Sequence, residues 1–329
     1  MLHPDSHIQE NLFDKPDMAA TRDGFGQALL ELGESNKQVV VLCADLAEST
    51  RTLAFKEKYP TRYIEVGVAE QNLATVASGL ANYGKIPFIT SYAAFSPGRN
   101  NEQIRTTISL NNLPVKIAGA HAGVSVGPDG ATHQALEDLA LMRVQPRMTV
   151  ISPCDSEEAR KATLAAAAHP GPVYIRLARE KSPVITTKET PFEIGRATVV
   201  WESDHKPEVL LCATGPLLYE ALKVAKELEH TLPMVVLNVA SIKPLDKETI
   251  AHYAKDAGCV VTVEEHQVAG GLGSAIAEML VEVCPAPMEM VGVRDSYGQS
   301  GEVGELYEYY KLSAPHIKAA IYKAHARRG

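Results

Sequence analysis

A glutamate at the predicted junction of a strand and a helix is the first residue whose position suits it to chemistry. Glu70 lies in the segment YIEVGVAEQNL, with Val66, Val68 and Leu73 around it. In a structural interpretation, its carboxylate complements the positive end of the helix dipole. In a functional one, partial burial raises the carboxyl's affinity for its proton and suits it to proton exchange with a bound base. Position alone leaves both interpretations open.

Two histidines bracket a glycine-rich segment that follows another predicted strand. His121 and His133 lie in GAHAGVSVGPDGATHQ, residues 119–134, together with Asp129 and four glycines. Histidine titrates near neutral pH and can act as an acid or a base, while glycines let the backbone approach a ligand closely. The GxxxxGK phosphate loop is excluded because no lysine follows. One aspartate and two histidines without cysteine are a weak ligand set, so we predict no metal ligands in this chain.

Aromatic and charged side chains follow other predicted strands. Tyr92 and Phe95, in PFITSYAAFSPG, are either core residues or a surface on which a flat heterocycle stacks. Arg179, in VYIRLAREKSP, is either a solvated arginine or a phosphate clamp. Asp45 and Ser49 follow the first strand, and they fit a helix cap as well as they fit a functional site. Each signal is modest alone, and their order along the chain carries more information.

The elements that position these residues alternate between short apolar runs and helical patterns. This alternation predicts a mostly parallel sheet with helices on both faces, in which ligands gather at the carboxyl ends of the strands. In the first half of the sequence, the predicted strands are 39–43, 63–68, 86–90, 115–118, 148–151 and 173–177. The predicted helices there lie within 67–84, 102–110, 134–142 and 156–168.

A polar, proline-bearing stretch at residues 181–207 interrupts this pattern before it restarts. The second half has predicted strands at 209–213, 234–239, 259–263 and 288–293, and helices at 219–229, 247–256 and after AGGLGSA to 283. Two short helical stretches end the chain. We therefore predict two α/β domains, 21–190 and 191–329, each a mostly parallel sheet flanked by helices. Residues 1–20 lack a sustained period and are predicted to be an N-terminal tail or an arm across a partner chain.

Composition narrows the class of protein. The 329 residues suit two domains, and 45% hydrophobic with 22% charged residues is ordinary for a soluble globular protein. A formal charge of -8 argues against nucleic acid as the main partner. Five dispersed cysteines are typical of a reduced protein. Since neither a signal peptide nor a membrane-length apolar run occurs, we expect a cytoplasmic chain that does not bind a membrane.

The order of the motifs resembles the transketolase family over nearly all of residues 20–325. The segments that carry the resemblance are VGVAEQNLATVASGLA, LPVKIAGAHAGVSVGPDGATHQALEDLALMR and EEHQVAGGLGSA. They are similar to the family's pyrimidine-binding and C-terminal domains. Beta subunits of 2-oxoacid dehydrogenases share this domain pair but usually lack the THQ run. Deoxyxylulose-phosphate synthases share much of it, and Ala69-Glu70-Gln71 looks more like them than like long transketolases, which usually have Arg-Glu-His there.

The resemblance implies thiamine diphosphate as the cofactor and gives the candidate residues roles. Glu70 matches the glutamate that hydrogen-bonds and activates the aminopyrimidine ring, and Phe95, with Tyr92 near it, matches the aromatic wall of that ring. His121 and His133 match histidines that face the substrate. The other candidates are assigned to substrate binding. Asp129 matches an aspartate near a hydroxyl of the acceptor sugar, Arg179 and Ser49 match residues that bind the sugar phosphate, and Asp45 is a further substrate-binding candidate.

A missing motif implies a partner chain. The family binds the diphosphate and its divalent metal through a GDG motif and an asparagine pair on a separate N-terminal domain. This sequence has no GDG, and its two Asn-Asn pairs follow no such motif. The resemblance therefore implies the C-terminal subunit of a split transketolase. An N-terminal transketolase subunit would hold the diphosphate and Mg²⁺ or another divalent cation, in a heterotetramer with two copies of each chain.

The expected reaction is transfer of a two-carbon ketol unit between ketose and aldose phosphates, as in the pentose phosphate pathway. A deoxyxylulose-phosphate-synthase-like subunit and a 2-oxoacid dehydrogenase beta-type subunit are alternative enzymes. A regulatory subunit without activity is a third alternative. The presence of Glu70, His121 and His133 together argues against it, because a regulatory subunit has no need of them.

Overall fold

Parallel strands form the centre of both halves of the chain. A computed structural model describes residues 1–328. The strands of the first half are β1 (Met18–Ala19), β2 (Val39–Cys43), β3 (Tyr63–Glu65), β4 (Ile86–Tyr92), β5 (Lys116–Ala120), β6 (Thr149–Ile151), β7 (Val173–Arg176) and β8 (Ser182–Pro183). Its α-helices are α1 (Thr21–Ser35), α2 (Leu53–Lys58), α3 (Glu70–Asn82), α4 (Asn101–Gln103), α5 (Asp138–Arg143) and α6 (Ser156–Ala168). A π-helix, Ile104–Ser109, continues α4, and 3-10 helices lie at Pro4–Ser6, Pro60–Arg62 and Val124–Asp129.

The second half repeats this organisation. Its strands are β9 (Thr198–Glu202), β10 (Val209–Ala213), β11 (Met234–Asn238), β12 (Ser241–Lys243), β13 (Val260–Gln267) and β14 (Met288–Val293). Its α-helices are α7 (Leu218–Glu227), α8 (Lys247–Ala257), α9 (Leu272–Val283), α10 (Val303–Tyr309) and α11 (Ala314–His325), and a 3-10 helix lies at Gly215–Leu217. Five of these strands, all but β12, form the second sheet. Their order is β14-β13-β10-β11-β9, and all are parallel except β9.

The first sheet has the order β12-β6-β7-β5-β4-β2-β3, and its strands run parallel except β12. Strand β2, with the sequence VVVLC, is buried along its whole length, as expected for a strand covered on both faces. Helices α1 and α6 pack on one face, with Phe25, Leu29 and Ala162 in that core. The other face contributes Leu73 of α3 and Ile89 of β4 to a larger core.

The two domains share that larger core, and one strand of the second domain joins the first sheet. Buried residues of the first domain belong to the same cluster as Ile250 of α8 and Ile276 of α9. Strand β12 comes from the second domain and pairs antiparallel with β6, at the edge of the first sheet. The carboxyl-terminal domain therefore forms part of the framework that holds the first sheet.

A buried ion pair lies at the same junction. The Arg176 Nε atom lies 2.9 Å from Asp138 Oδ2, and both side chains are buried. Arg176 Nη2 also donates to the backbone carbonyl of Glu265, at 2.8 Å. In return, the Glu265 carboxylate accepts a hydrogen bond from the backbone N–H of Ser125. These contacts join the loop after β5 to strand β13 of the other domain.

The N-terminal residues lie across both domains of their own chain. Leu2 forms a β-bridge with Trp201, and Ile8 forms one with Thr186. Strand β1 pairs antiparallel with β8, and Leu12 is completely buried. The segment that the sequence predicts as a tail is thus packed on this chain, and its contact with a partner stays a prediction.

The predicted fold class is confirmed: both sheets are mostly parallel and flanked by helices. Strands β2, β10 and β14 and helix α6 begin and end at the predicted residues. Strand β3 is shorter than predicted, since the chain turns at Gly67 with φ 71°. Helix α5 begins at Asp138 instead of residue 134. The boundary between the domains near residue 190 stays a prediction.

Candidate active site

The carboxyl ends of four neighbouring strands bring most of the predicted site residues to one edge of the first sheet. Strands β7, β5, β4 and β2 are adjacent and parallel. Tyr92 is the last residue of β4, His121 directly follows β5, and Arg179 lies three residues after β7. Ligands of parallel sheets usually bind at this edge, and the sequence predicted the site there because the candidate residues follow strands.

Glu70 is the first residue of α3, and its side chain is 1% exposed. Its carboxylate accepts hydrogen bonds from Ser91 Oγ at 3.0 Å and from Arg99 Nη1 at 2.7 Å. The Asn100 side chain donates to the Glu70 backbone carbonyl, at 3.0 Å. The structural interpretation, a carboxylate at a helix N-terminus, therefore describes its position. The polar contacts around the buried carboxylate also fix its orientation towards the strand ends.

Four aromatic rings lie together beside Glu70. Tyr92 stacks on His121 with ring centroids 3.9 Å apart and an interplanar angle of 27°. Phe95 lies 6.0 Å from Tyr92 and 5.3 Å from His133, measured between ring centroids. Tyr92 and Phe95 are both only partly buried. They therefore differ from fully buried core residues and leave part of their ring surface accessible at the strand ends.

His121 is buried and held in an unusual backbone conformation. It is 2% exposed and adopts φ 55°. Arg22 Nη1 lies 3.4 Å from His121 Nε2, and because arginine only donates, Nε2 is the acceptor and Nδ1 carries the proton. Among residues 1–328, Nδ1 has no hydrogen-bond partner. A buried N–H without a partner is costly, and a ligand that accepts from it would remove that cost.

The charge state of His121 can be predicted from its surroundings. Burial, together with the positive charges of Arg22 and Arg179, lowers the pKa of His121 to about 3. Its folded pKa lies below the unfolded value of about 6.5, so the unfolded chain takes up the proton first as the pH falls. The neutral ring therefore favours the folded state above pH 6.5, and that contribution is lost as the pH falls below this value.

We expect the ring signals of His121 in a proton NMR titration to stay at their neutral positions from pH 8 to pH 5. The physical reason is that protonation would place a charge in a buried site beside two arginines. The variant His121→Asn identifies the signal by removing it. A titration midpoint near pH 6.5 for that signal would contradict the burial described.

Arginines surround the other side of His121. Arg22 Nη1 also donates to the Ser49 backbone carbonyl, at 2.9 Å. Arg179 Nη1 donates to the Val126 carbonyl at 2.8 Å and lies 3.0 Å from a Glu180 carboxylate oxygen. Burial and the nearby positive charge of Arg51 lower the pKa of Arg22. Accumulated positive charge of this kind favours an anionic ligand.

Two predicted site residues are exposed and less firmly placed. Asp129 ends the 3-10 helix Val124–Asp129, and Asp45 adopts φ 60° directly after β2. Neither carboxylate makes a hydrogen bond or ion pair with another of residues 1–328. The helix-cap interpretation of Asp45 and Ser49 is wrong, because the N-cap of α2 is Thr52. Their roles in substrate binding stay predictions.

Two glycines of the segment 119–134 lie against side chains of the second domain, which corrects the expectation that they let the backbone approach a ligand. Gly123 has φ 89°, and a Cβ atom there would lie 2.4 Å from Glu265 Oε1. Gly130 has φ 73°, and a Cβ atom there would lie 2.6 Å from Ser300 Oγ. Both neighbours belong to the second domain. These glycines therefore let the loop that carries the histidines pack closely against that domain.

Sequence reasoning missed four residues of the site: Arg22, Ser91, Arg99 and Asn100. Each acts through a contact between elements that are distant in the sequence, such as the 99-residue separation of Arg22 and His121. Ser91 offers one signal, since its neighbour Tyr92 ends the same strand. Arg99 and Asn100 lie in SPGRNN, whose composition indicates only a turn.

Comparisons with known proteins identify the family of this chain. The family model described as "Transketolase, pyrimidine binding domain" matches residues 17–184, and the model described as "Transketolase, C-terminal domain" matches residues 176–317. The chain belongs to the transketolase family. The resemblance predicted from the motifs is thereby confirmed.

Individual transketolase relatives match this chain along most of its length. A transketolase C-terminal section of Methanocaldococcus jannaschii is 39% identical over 304 residues, which cover 91% of this chain and 94% of that protein. A 6-deoxy-6-sulfo-D-fructose transketolase subunit of a Clostridium species is 40% identical over 308 residues, covering 93% and 95%. A solved structure described as a split gene transketolase, an inactive beta4 tetramer, has a TM-score of 0.87 at 45% identity. It covers 94% of this chain and 99% of that one.

The residues of this transketolase-family chain fit one part of thiamine diphosphate, the cofactor that the family implies. A buried carboxylate and partly buried aromatic faces suit a flat, hydrogen-bonding heterocycle. The diphosphate and its metal need different groups. Within residues 1–328, no cluster of three or more His, Cys, Asp and Glu side chains is arranged to hold a metal ion. In the same range, every helix is too short or too polar to cross a membrane.

Proposed function

We propose that this chain is the C-terminal subunit of a split, thiamine-diphosphate-dependent transketolase. It would transfer a two-carbon ketol unit between ketose and aldose phosphates. The observation that carries the proposal is the buried Glu70 carboxylate beside Phe95, at the strand ends that also carry His121 and His133. When bound, the cofactor supplies the carbon nucleophile that carries the ketol unit.

In this proposal each group of the chain has a separate task. Glu70 holds or releases a proton at a nitrogen of the cofactor's pyrimidine ring, and Ser91 orients its carboxylate. Phe95 and Tyr92 provide the surface on which the ring stacks. His121 is neutral, because its pKa is lowered to about 3, and it donates from Nδ1 to a substrate oxygen. His133 exchanges protons with the hydroxyl groups of the substrate.

The substrate phosphate would bind on the side of Arg22 and Arg179. Both guanidinium groups contribute to the positive charge around His121. Arg22 also donates a hydrogen bond to the Ser49 backbone carbonyl, which places Ser49 on the same side. Guanidinium groups bind phosphate oxygens with paired, charge-assisted hydrogen bonds. Asp129 would bind a hydroxyl of the acceptor sugar and Asp45 the substrate near Ser49.

We propose further that an N-terminal transketolase subunit holds the diphosphate and Mg²⁺ or another divalent cation, in a heterotetramer with two copies of each chain. Two observations support this. No metal-binding cluster occurs within residues 1–328, and the matching solved structure is described as a split gene transketolase, an inactive beta4 tetramer. An active site at the interface would need both kinds of chain.

The experiment that tests the proposed reaction uses the chain co-purified with its N-terminal partner. We expect the complex, and neither chain alone, to convert xylulose 5-phosphate plus ribose 5-phosphate. Condensation of pyruvate with glyceraldehyde phosphate would indicate a deoxyxylulose-phosphate synthase instead. Absence of turnover with both substrate pairs would favour a regulatory subunit, and either of these results would contradict the proposal.

Replacing Arg179 by methionine should raise the KM for the phosphorylated ketose by roughly tenfold to a hundredfold, the loss of one charged hydrogen-bonding partner. The kcat should change less, because the phosphate is remote from the reacting carbon. Steady-state kinetics with xylulose 5-phosphate measures the effect, and unphosphorylated xylulose is the control substrate. Equal changes of KM for both sugars would contradict the assignment of Arg179 to the phosphate.

A further inference from the structure

Arg99 makes two contacts at once with the residues proposed to bind the pyrimidine ring. Its Nη1 atom lies 2.7 Å from Glu70 Oε2. Its guanidinium carbon lies 4.7 Å from the centroid of the Phe95 ring. Sequence reasoning did not single out this residue, and the proposed mechanism gives it no task.

These are the two contacts that the proposed function assigns to the cofactor's pyrimidine ring. A guanidinium group is planar, carries N–H donors in its plane and stacks on aromatic faces. An aminopyrimidine ring has the same general features, a flat face and a nitrogen edge. A ring placed over the same face of Phe95 and against the same Glu70 oxygen would occupy the position that the Arg99 guanidinium holds, so Arg99 and the ring would compete for these contacts.

The two partners differ in their freedom to move. Glu70 is buried, and Ser91 and Asn100 hold its carboxylate and backbone from inside the fold. The Arg99 side chain is 48% exposed, so it has room to turn towards solvent. Displacement therefore moves Arg99 and leaves the Glu70 carboxylate in place.

We propose that Arg99 holds the place of the pyrimidine ring in the cofactor-free chain and must leave Glu70 before the ring binds. The proposal rests on the proposed function, because it assumes that Glu70 and Phe95 bind this ring. Arg99 then keeps the buried carboxylate paired with a positive charge until the cofactor arrives. It also lowers the apparent affinity for the cofactor by the fraction of molecules in which the pair is broken.

The test measures cofactor binding by calorimetry, with thiamine diphosphate and Mg²⁺ titrated into the complex of this chain and its N-terminal partner. Replacing Arg99 by leucine should lower the Kd on the order of tenfold, since the competing group is gone. Arg99→Lys keeps a charge that reaches Glu70 but loses the planar stacking surface, so its Kd should lie between the two. The matched control is Arg105→Leu, which removes an exposed arginine of the adjoining π-helix and should leave the Kd unchanged.

An unchanged or higher Kd for Arg99→Leu, in a variant whose thermal unfolding matches that of the original chain, would overturn the proposal.

A crystal structure of the cofactor-loaded complex is a second test that needs no variant. We expect Arg99 to lie beyond hydrogen-bonding distance of Glu70 there, and an intact ion pair would overturn the proposal. The activity of Glu70→Ala distinguishes a failure of the Arg99 role from a failure of the proposed function. If Glu70→Ala abolishes activity but Arg99→Leu binds the cofactor no more tightly, only the role of Arg99 is wrong. If Glu70→Ala retains full activity, the proposed function itself fails.

Discussion

Replacing Glu70 by alanine in the complex with the N-terminal partner should lower kcat by roughly 10²- to 10⁴-fold, the usual contribution of a positioned acid or base. The carboxylate is 1% exposed and faces the strand ends with an orientation fixed by Ser91. Alanine removes the group that would exchange a proton with the pyrimidine ring and leaves the helix able to form. The measurement is the rate of ketol transfer from xylulose 5-phosphate at saturating cofactor.

The controls for Glu70→Ala separate chemistry from folding. Glu70→Gln keeps the shape and the contact with Ser91 but cannot take up or release a proton, so it should lose nearly as much activity. Glu57→Gln removes an exposed carboxylate of α2 and should leave kcat unchanged. Near-full activity of Glu70→Ala would show that the carboxylate takes no part in activating the cofactor.

Replacing Arg176 by methionine should lower the free energy of unfolding by about 3 to 5 kcal/mol, the usual cost of removing one partner of a buried ion pair. The guanidinium group is buried with Asp138 at 2.9 Å, and it also donates to the backbone carbonyls of Ala135 and Glu265. Methionine fills much of the volume but removes the cationic partner of the buried Asp138 carboxylate, to which only the Tyr174 hydroxyl still donates, and it removes one donor from each of the two carbonyls. Denaturation with urea, followed by circular dichroism, measures the loss.

Two further variants test the explanation for Arg176. The double variant Arg176→Met with Asp138→Asn removes both charges and should be more stable than Arg176→Met alone, because no unpaired charge stays buried. Arg196→Met removes an arginine that is 58% exposed and 3.8 Å from Glu248, and it should change stability by less than about 0.5 kcal/mol. An equal loss in Arg176→Met and Arg196→Met would contradict the importance of burial at the junction.

The sequence predicted most of the sheet framework because central parallel strands are apolar along their whole length. Strands such as β2 and β10 are short runs of this kind, bounded by polar residues. Strand β12, with the sequence SIK, lacks that signal. It is a strand only because the second domain places it beside β6. Pairing between domains cannot be deduced from the local pattern.

The candidate site was predictable where it depends on position after a strand. Tyr92 and His121 were found in this way, and Glu70 was found from its place at the start of a helix. Arg22 and Arg99 were missed, because their roles come from contacts across the fold with His121 and Glu70. Arginines in a first helical turn or in a loop look alike in sequence, whatever they contact.

The glycine-rich segment shows a different limit. Glycines after a strand are compatible with close approach of any backbone or ligand. Only the folded structure identifies the neighbour of Gly123 as Glu265 of the other domain. The C-terminal domain, to which the sequence gives no catalytic residue, thereby supports the loop between His121 and His133. His266 in the EEH motif is buried in that domain, where its Nδ1 atom lies 2.7 Å from the Gln267 carbonyl.

The division of the cofactor site between two chains is tested most directly by calorimetric titration of thiamine diphosphate with Mg²⁺. The titration is made into this chain, into the N-terminal partner and into their mixture. We predict that the mixture alone binds the cofactor tightly, with one molecule bound for each pair of chains. Tight binding of cofactor and metal by this chain alone, at the affinity of the mixture, would contradict a site formed at the interface.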